Sequence, residues 1–281
     1  MEYKYKQVFI SLILVIVILS CGNSGQKTGN ASDSQGRSEA ALSLKNDNFV
    51  YNLGAVIRGD TTKKEIALVF TGDEFADGAA FITKTLKEHS INASFFFTGN
   101  YYRNKEFAEG IRKLHSSGNY MGAHSDRHLL YCDWEKRDSL LVTRQEFLED
   151  LKNNYSEMKK HGIMAGEARF FLPPYEWYND SISLWTAQAG LQLINFTPGT
   201  RSNADYTYPE MGERYVGSEE ILDSVLSFEA GSSNGMNGFI LLVHIGTHPG
   251  RTDKFYKYLP GLIKELKNRG YRFVRIDEML A

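Results

Sequence analysis

EIALVFT from Glu65 to Thr71, a helical stretch from Ala79 to Ser90, then ASFFFT from Ala93 to Thr98: this sequence decides the fold. Short apolar runs flanked by polar residues read as strands buried on both faces, and the stretch between them has the period of an amphipathic helix. Two strands joined through a helix lie parallel, because such a crossover brings the chain back in the same direction. The alternation continues outward. Strands are expected over Tyr120–Ala123, Arg169–Leu172, Gln192–Phe196, Phe239–Val243 and Tyr271–Ile276, and helices over Lys105–Ser117, Thr143–His161, Ser181–Ala189, Ser218–Ala230 and Lys254–Arg269. Six or seven such units with no phosphate-binding glycine signature favour a barrel over a nucleotide-binding sheet. In a barrel of this kind, chemistry belongs at the strand C-terminal ends.

Those ends are where the chain keeps its unusual polar residues. After the first strand come Thr71, Gly72, Asp73 and Glu74. Later ends carry His124 with His128, then Pro173, Pro174 and Tyr175, then Thr197 to Thr200, and finally His244 and His248. The stretch MGAHSDRH, Met121 to His128, spaces two histidines by four, which on a helix would put both rings on one face. An Asp and two His suit a divalent transition metal, and a further His suits a general acid. Each residue also has a purely structural alternative. Asp73 and Glu74 could cap a helix, His244 could be a satisfied core histidine, and His248 before Pro249 reads as a loop residue. Trp134, Trp177, Tyr178 and Trp185 could floor a sugar cleft or simply pack.

The composition sets bounds. The 281 residues are 42% hydrophobic, enough for one sizeable core, and the net charge of −2 argues against a nucleic-acid binder. At the N-terminus Lys4 and Lys6 precede an apolar run from Val8 to Leu19, too short for a comfortable membrane span and closed by Ser20-Cys21. Residues 1–20 therefore read as an export signal of lipoprotein type, with Cys21 as the acylated first residue. Residues 21–45, rich in Gly, Ser, Asn and Lys, read as a tether, and 46–281 as the globular domain. Removing 1–20 takes away Lys4, Lys6 and Glu2 and moves the charge from −2 to −3. Only Cys132 then remains, so no internal disulfide forms. It reads as a structural thiol, with metal ligation as the alternative.

At the strand ends the chain resembles the polysaccharide deacetylases of the NodB-homology type, carbohydrate esterase family 4. The resemblance covers Glu65 to Ile276. It rests on His-Ser-x-x-His at His124–His128, Pro-Pro-Tyr at Pro173–Tyr175 and Leu-Leu-x-His at Leu241–His244. It implies a distorted (β/α)7 barrel that removes N- or O-acetyl groups with a divalent metal, most simply Zn²⁺, with Co²⁺ or Ni²⁺ as alternatives. Carried over residue by residue, His124 and His128 become metal ligands and His244 the general acid. Tyr175 stabilises the oxyanion through its backbone amide, with Thr71, Pro174 and Trp177 lining the substrate site. The first motif departs from the family's Thr-Phe-Asp-Asp-Gly: here Val69-Phe70-Thr71-Gly72-Asp73-Glu74 puts Thr71 at the base position. On an Asp-x-Asp spacing Asp73 becomes the third ligand. The Arg before Pro-Pro-Tyr stands as Leu172, and the Asp that pairs with it stands as Gly199.

These losses concern one function, the general base. In the first reading Glu74 or Asp77 activates the attacking water and the chain is a membrane-tethered hydrolase acting on an acetylated glycan, expected as a monomer. In the second, the chain is a weak or inactive carbohydrate-binding lipoprotein that keeps the metal site. A third reading, a glycoside hydrolase built on carboxylates such as Glu74 and Glu176, would need no metal.

Overall fold

A computed structural model describes residues 46–281. The expected signal peptide, tether and acylated Cys21 lie outside the described residues. No helix among the described residues is long and apolar enough to cross a membrane.

The strands are β1 Val50–Asn52, β2 Ala55–Arg58, β3 Glu65–Gly72, β4 Ser94–Phe97, β5 Tyr120–Ala123, β6 Phe170–Phe171, β7 Gln192–Leu193, β8 Phe239–His244 and β9 Arg272–Val274. They form one sheet in the order β1-β2-β8-β3-β4-β5-β6-β7, with β9 against the start of β3. From β8 through β3 to β7 the pairings are parallel, as helical crossovers require. The sheet curls until β2 meets the chain just past β7: Val56 bridges Ile194, and the Asn195 N–H donates to the Val56 carbonyl at 2.9 Å. The architecture is mixed α/β, a curled sheet of the distorted (β/α)7 barrel type.

Two apolar layers follow from the period of two along each strand. Ala67 and Val69 join Phe96, Leu172, Ile194, Ile240 and Leu242 in the barrel interior. Ile66, Leu68 and Phe70 face the other way, into the layer that the helices cover. At Gly122 on β5 an added Cβ would lie 2.3 Å from the Phe96 ring, so only glycine fits on that inner face.

The structure corrects some expected boundaries. The helix expected over Lys105–Ser117 is a 3₁₀ turn, Lys105–Phe107, followed by a helix over Ala108–Ser116, preceded by a separate short helix at Gly99–Arg103. Asn104 breaks the run: it is extended, and its side chain accepts from the Glu106 N–H. The helix expected from Lys254 begins at Leu259, where Pro260 sits in the first turn and needs no N–H partner. The hairpin β1–β2, whose strands are only three and four residues long, was not foreseen.

Candidate active site

The registers of the parallel strands align their C-terminal ends in one rim. Thr71 pairs with His244, Gly72 with Phe97, Phe97 with Ala123 and Ala123 with Phe171. Two residues beyond inward-facing Val69, Gly122 and Leu242 come Thr71, His124 and His244, so alternation turns all three toward the inner face. Leu172 faces inward beside them as part of the interior apolar cluster.

The two histidines of the MGAHSDRH stretch come together differently from the expectation. The chain leaves β5 into a loop, not a helix, and Ser125 (φ 77°) and His128 (φ 54°) are both left-handed. The Ser125 hydroxyl accepts from the His128 N–H at 2.9 Å. The helix Arg144–Lys160, started by a Thr143–Glu146 capping box, braces this loop with polar residues on its buried face. Asp150 accepts from the Asp126 and Arg127 N–H groups and from the Tyr131 hydroxyl. Asn154 accepts from the His124 N–H and donates to the Phe97 carbonyl. The loop's backbone is thereby fixed without helical bonds of its own.

The result is a pair of imidazoles with ring centres 5.2 Å apart. His124 donates its Nδ1–H to the Leu172 carbonyl at 2.8 Å, which leaves the Nε2 lone pair for another partner. Burial, together with the neighbouring His128, holds His124 well below the usual histidine range. Burial also lowers His128, against the pull of the Asp73 charge. Two neutral imidazoles are the form that binds a cation. Two rings bound about 2 Å from one tetrahedral ion place their centres roughly 5 Å apart, so the pair fits a shared metal. Asp73 stands near His128; its Oδ1 accepts from the Thr98 hydroxyl at 2.6 Å and the Asn100 amide at 3.2 Å. Among the described residues no three His, Cys, Asp or Glu side chains stand as a ready-made metal cluster. The donor chemistry fits a divalent ion, with the histidine pair already placed and Asp73 turned toward Thr98 and Asn100.

Across the site, the ring of His244 donates from Nδ1 to Asp205 Oδ1 at 2.6 Å, and its backbone N–H donates to Oδ2 at 2.9 Å. Burial alone would lower the His244 pKa, but the Asp205 carboxylate, with help from Glu176, turns the net shift upward. Asp205 lies in the 3₁₀ turn Ser202–Tyr206, and Tyr206 packs its ring 5.4 Å from His244. Gly199, which takes the place of an Asp in the family pattern, packs against the Phe228 ring, where an added Cβ would clash.

Tyr175 (φ 58°) and Glu176 (φ 53°) form a left-handed turn after β6. The Tyr175 N–H donates no hydrogen bond among the described residues. The Tyr175 ring lies 4.3 Å from that of His128 and 5.5 Å from Trp134. Trp134 is 54% exposed and lies 5.5 Å from Trp177. Trp177 is pinned from behind by the Arg137 guanidinium, 4.0 Å from its ring centre, and by its own indole N–H to the Asp133 carbonyl. Glu176 is half-buried, and its carboxyl accepts no hydrogen bond among the described residues. Burial and the nearby Asp205 push its pKa up to about 7, against the pull of His244.

The remaining expected residues sit apart from the histidine pair or in other roles. Asp77 accepts from the Thr247 N–H at 2.8 Å and the Tyr256 hydroxyl at 3.1 Å, and pairs with Lys254 at 3.0 Å. Glu74 is exposed. Pro174 is buried in the turn. The Thr71 hydroxyl is buried with no hydrogen-bond partner among the described residues. His248 is exposed and stacks on Tyr208 at 4.3 Å. Sequence reasoning missed Asp205, which lies 39 residues from His244 with no spacing signal. It noticed Glu176 only as a partner for Glu74. A charged residue directly after Pro-Pro-Tyr at the end of an apolar strand was the available clue.

A family model described as polysaccharide deacetylase matches residues 58–194. A peptidoglycan-N-acetylglucosamine deacetylase from Bacillus cereus is 23% identical over 79% of this chain and 70% of its own length. Among solved structures, a family 4 carbohydrate esterase from Bacillus subtilis superposes with a TM-score of 0.63 at 21% identity, covering 81% of this chain and 85% of that one. A family 4 pseudoenzyme from Bacillus anthracis also gives 0.63, at 19% identity, covering 82% of this chain and 70% of that one. A mutant of that protein is described as having restored enzymatic activity.

Proposed function

The chain belongs to the polysaccharide deacetylase family, and on that premise we propose that it hydrolyses acetyl groups from a polysaccharide or oligosaccharide with the help of a divalent metal, zinc in the first instance. The carrying observation is that two neutral imidazoles and a carboxylate-held histidine, from two separate strand ends, meet at one rim. Asp73, His124 and His128 would hold the metal. When bound, the ion supplies Lewis-acid polarisation of the acyl oxygen and eases the ionisation of water. His244, its Nδ1 engaged by Asp205, gives the proton on Nε2 to the leaving nitrogen or oxygen. The free Tyr175 N–H is the oxyanion donor. Tyr175 beside His128, and Trp134 beside Tyr175, are both exposed and offer a ring surface on which a sugar can lie. The export signal and Cys21 extend the proposal to an exported lipoprotein held at a membrane, with the acetylated glycan as its partner.

The test is acetate release by the full-length protein from a panel of acetylated glycans, with Zn²⁺ and with a chelator. Release with zinc that stops with chelator supports the reading. No release by protein shown to contain zinc would reject it. That second outcome favours the other reading, a glycan-binding protein with a silent site. The observation behind it is that an apolar Leu172 and an uncharged Thr71 occupy inner-face positions where the family pattern has charged residues. The family 4 pseudoenzyme among the structural neighbours lends support to this second reading.

A further inference from the structure

The end of β4 lies between the two strand ends that carry the proposed metal ligands. Gly72 pairs with Phe97 and Phe97 with Ala123, so Asp73 leaves β3 on one side of Thr98 and His124 leaves β5 on the other. From Thr98 the chain enters the short helix Gly99–Arg103, and this segment bonds to both neighbours.

Toward β3, the Thr98 hydroxyl at 2.6 Å and the Asn100 amide at 3.2 Å both donate to Oδ1 of Asp73, and no hydrogen bond among the described residues reaches Oδ2. Two donors on one oxygen fix the carboxylate and leave the other oxygen for a further partner. Toward β5, the Gly99 N–H donates to the Ser125 carbonyl and the Asn100 N–H to the Asp126 carbonyl, both at 3.0 Å. The approach is so close that a Cβ on Gly99 would overlap the Asp126 carboxylate.

Arg103 joins the two arms. Its Nη1 donates to Asp126 Oδ1 at 2.5 Å, and its Nη2 donates to Asn100 Oδ1 at 2.7 Å and to the Asp126 carbonyl at 3.3 Å. The Glu157 carboxylate stands 3.7 Å from Nη1 on the far side. A guanidinium only donates, so the Asn100 oxygen must face Arg103 and the Asn100 NH₂ must face Asp73. Charge does not account for an arginine here. A cation beside a metal site opposes the ion, and without Arg103 the buried Asp126 carboxylate would attract one. What the planar fork supplies is geometry, because it holds Asn100 and Asp126 in one plane at fixed spacing. Resting on the reading that Asp73, His124 and His128 hold a divalent metal, we propose that Arg103 is a positioning residue of this site. It locks the histidine loop through Asp126 and presents Asp73 through Asn100, so both halves are set before the ion arrives.

The experiment compares zinc affinity in the full-length parent, Arg103→Ala, Arg103→Lys and Asn100→Ala. Affinity is read by competition with a chromogenic chelator well below the melting temperature, and thermal melting is recorded beside it. The expected result is a fall of about 10- to 100-fold in all three variants, the loss found when support behind a metal ligand is removed. Lysine keeps the charge without the fork. Asn100 is exposed, so its alanine variant should melt like the parent, which separates lost affinity from lost fold even where Arg103→Ala folds poorly. Arg103→Ala that binds zinc as tightly as the parent, or more tightly as charge alone requires, would overturn the proposal. Parental affinity in Arg103→Lys or in Asn100→Ala would overturn it as well. A parent that binds no zinc rejects the metal reading and this role with it, whereas a zinc-binding parent with undiminished variants rejects only the role of Arg103.

Discussion

Asp205 holds His244 at two points, Oδ1 on the ring Nδ1 at 2.6 Å and Oδ2 on the backbone N–H at 2.9 Å. The grip fixes the ring orientation and commits Nδ1 to donation, so the titrating proton resides on Nε2. Because the net shift of His244 is upward, the acid form persists above the ordinary histidine value, and activity that needs it is lost only as pH rises through the raised value. The same sign applies to stability. What the pair contributes is fully present below about pH 6.5, the unfolded histidine value, and fades as pH rises through the folded one. Asp205→Asn should therefore move the alkaline limb of kcat to lower pH and lower kcat by about 10²-fold or more. A pH–rate profile of the variant checks this; an unmoved alkaline limb would separate Asp205 from the acid.

The histidine pair makes a second prediction. His124→Ala removes one of the two imidazoles and leaves the Leu172 carbonyl without its donor. Bound zinc per chain, measured by elemental analysis after dialysis, should drop to background. The far-ultraviolet circular dichroism should be kept, with stability lowered by about 1–3 kcal/mol for the orphaned carbonyl. Stoichiometric zinc in the folded variant would show that the ion, if any, sits elsewhere.

Much of this fold was legible because its strands are long apolar runs. EIALVFT and FILLV, buried on both faces, announced a parallel sheet, and the bracing helix expected from Thr143 does start there. What was hidden depends on long-range geometry. A four-residue histidine spacing suggests a helix, yet here a loop with two left-handed residues brings the rings together, and its shape is imposed by Asp150 and Asn154 from a helix some 25 residues later. Those two residues read as ordinary polar positions until their buried side is known. Asp205 was hidden for the same reason, since nothing in Ser-Asn-Ala-Asp-Tyr indicates a partner at His244.

The exposed rings beside His128 make a third prediction. Trp134 is exposed, with its ring 5.5 Å from those of Tyr175 and Trp177, while Trp177 behind it is immobilised by Arg137 and the Asp133 carbonyl. A sugar ring stacked on Trp134 would gain on the order of 1 kcal/mol from the aromatic face. Trp134→Ala should then raise KM for glycan oligomers by roughly three- to tenfold with little change in kcat, and leave zinc binding untouched. Equal KM for parent and variant on every oligomer length would place the glycan elsewhere.

Asp150 supplies the fourth. It is 2% exposed, and three donors converge on it: the Asp126 and Arg127 N–H groups and the Tyr131 hydroxyl. Asp150→Ala leaves these donors without their acceptor, at a cost of about 1–3 kcal/mol for each that stays buried, so a total near 3 kcal/mol or more is expected. For a domain of this size that corresponds to a melting temperature lower by roughly 6–12 °C. The same residue sets the loop that carries His128, so zinc affinity measured well below the melting temperature should also weaken, by about 10- to 100-fold, as losses behind a metal ligand do. The two readouts separate the roles of Asp150. Lower stability with parental zinc affinity would make it a brace for the fold alone. Loss of both, with the variant still folded at the measuring temperature, ties the helix Arg144–Lys160 to the placement of the histidine pair.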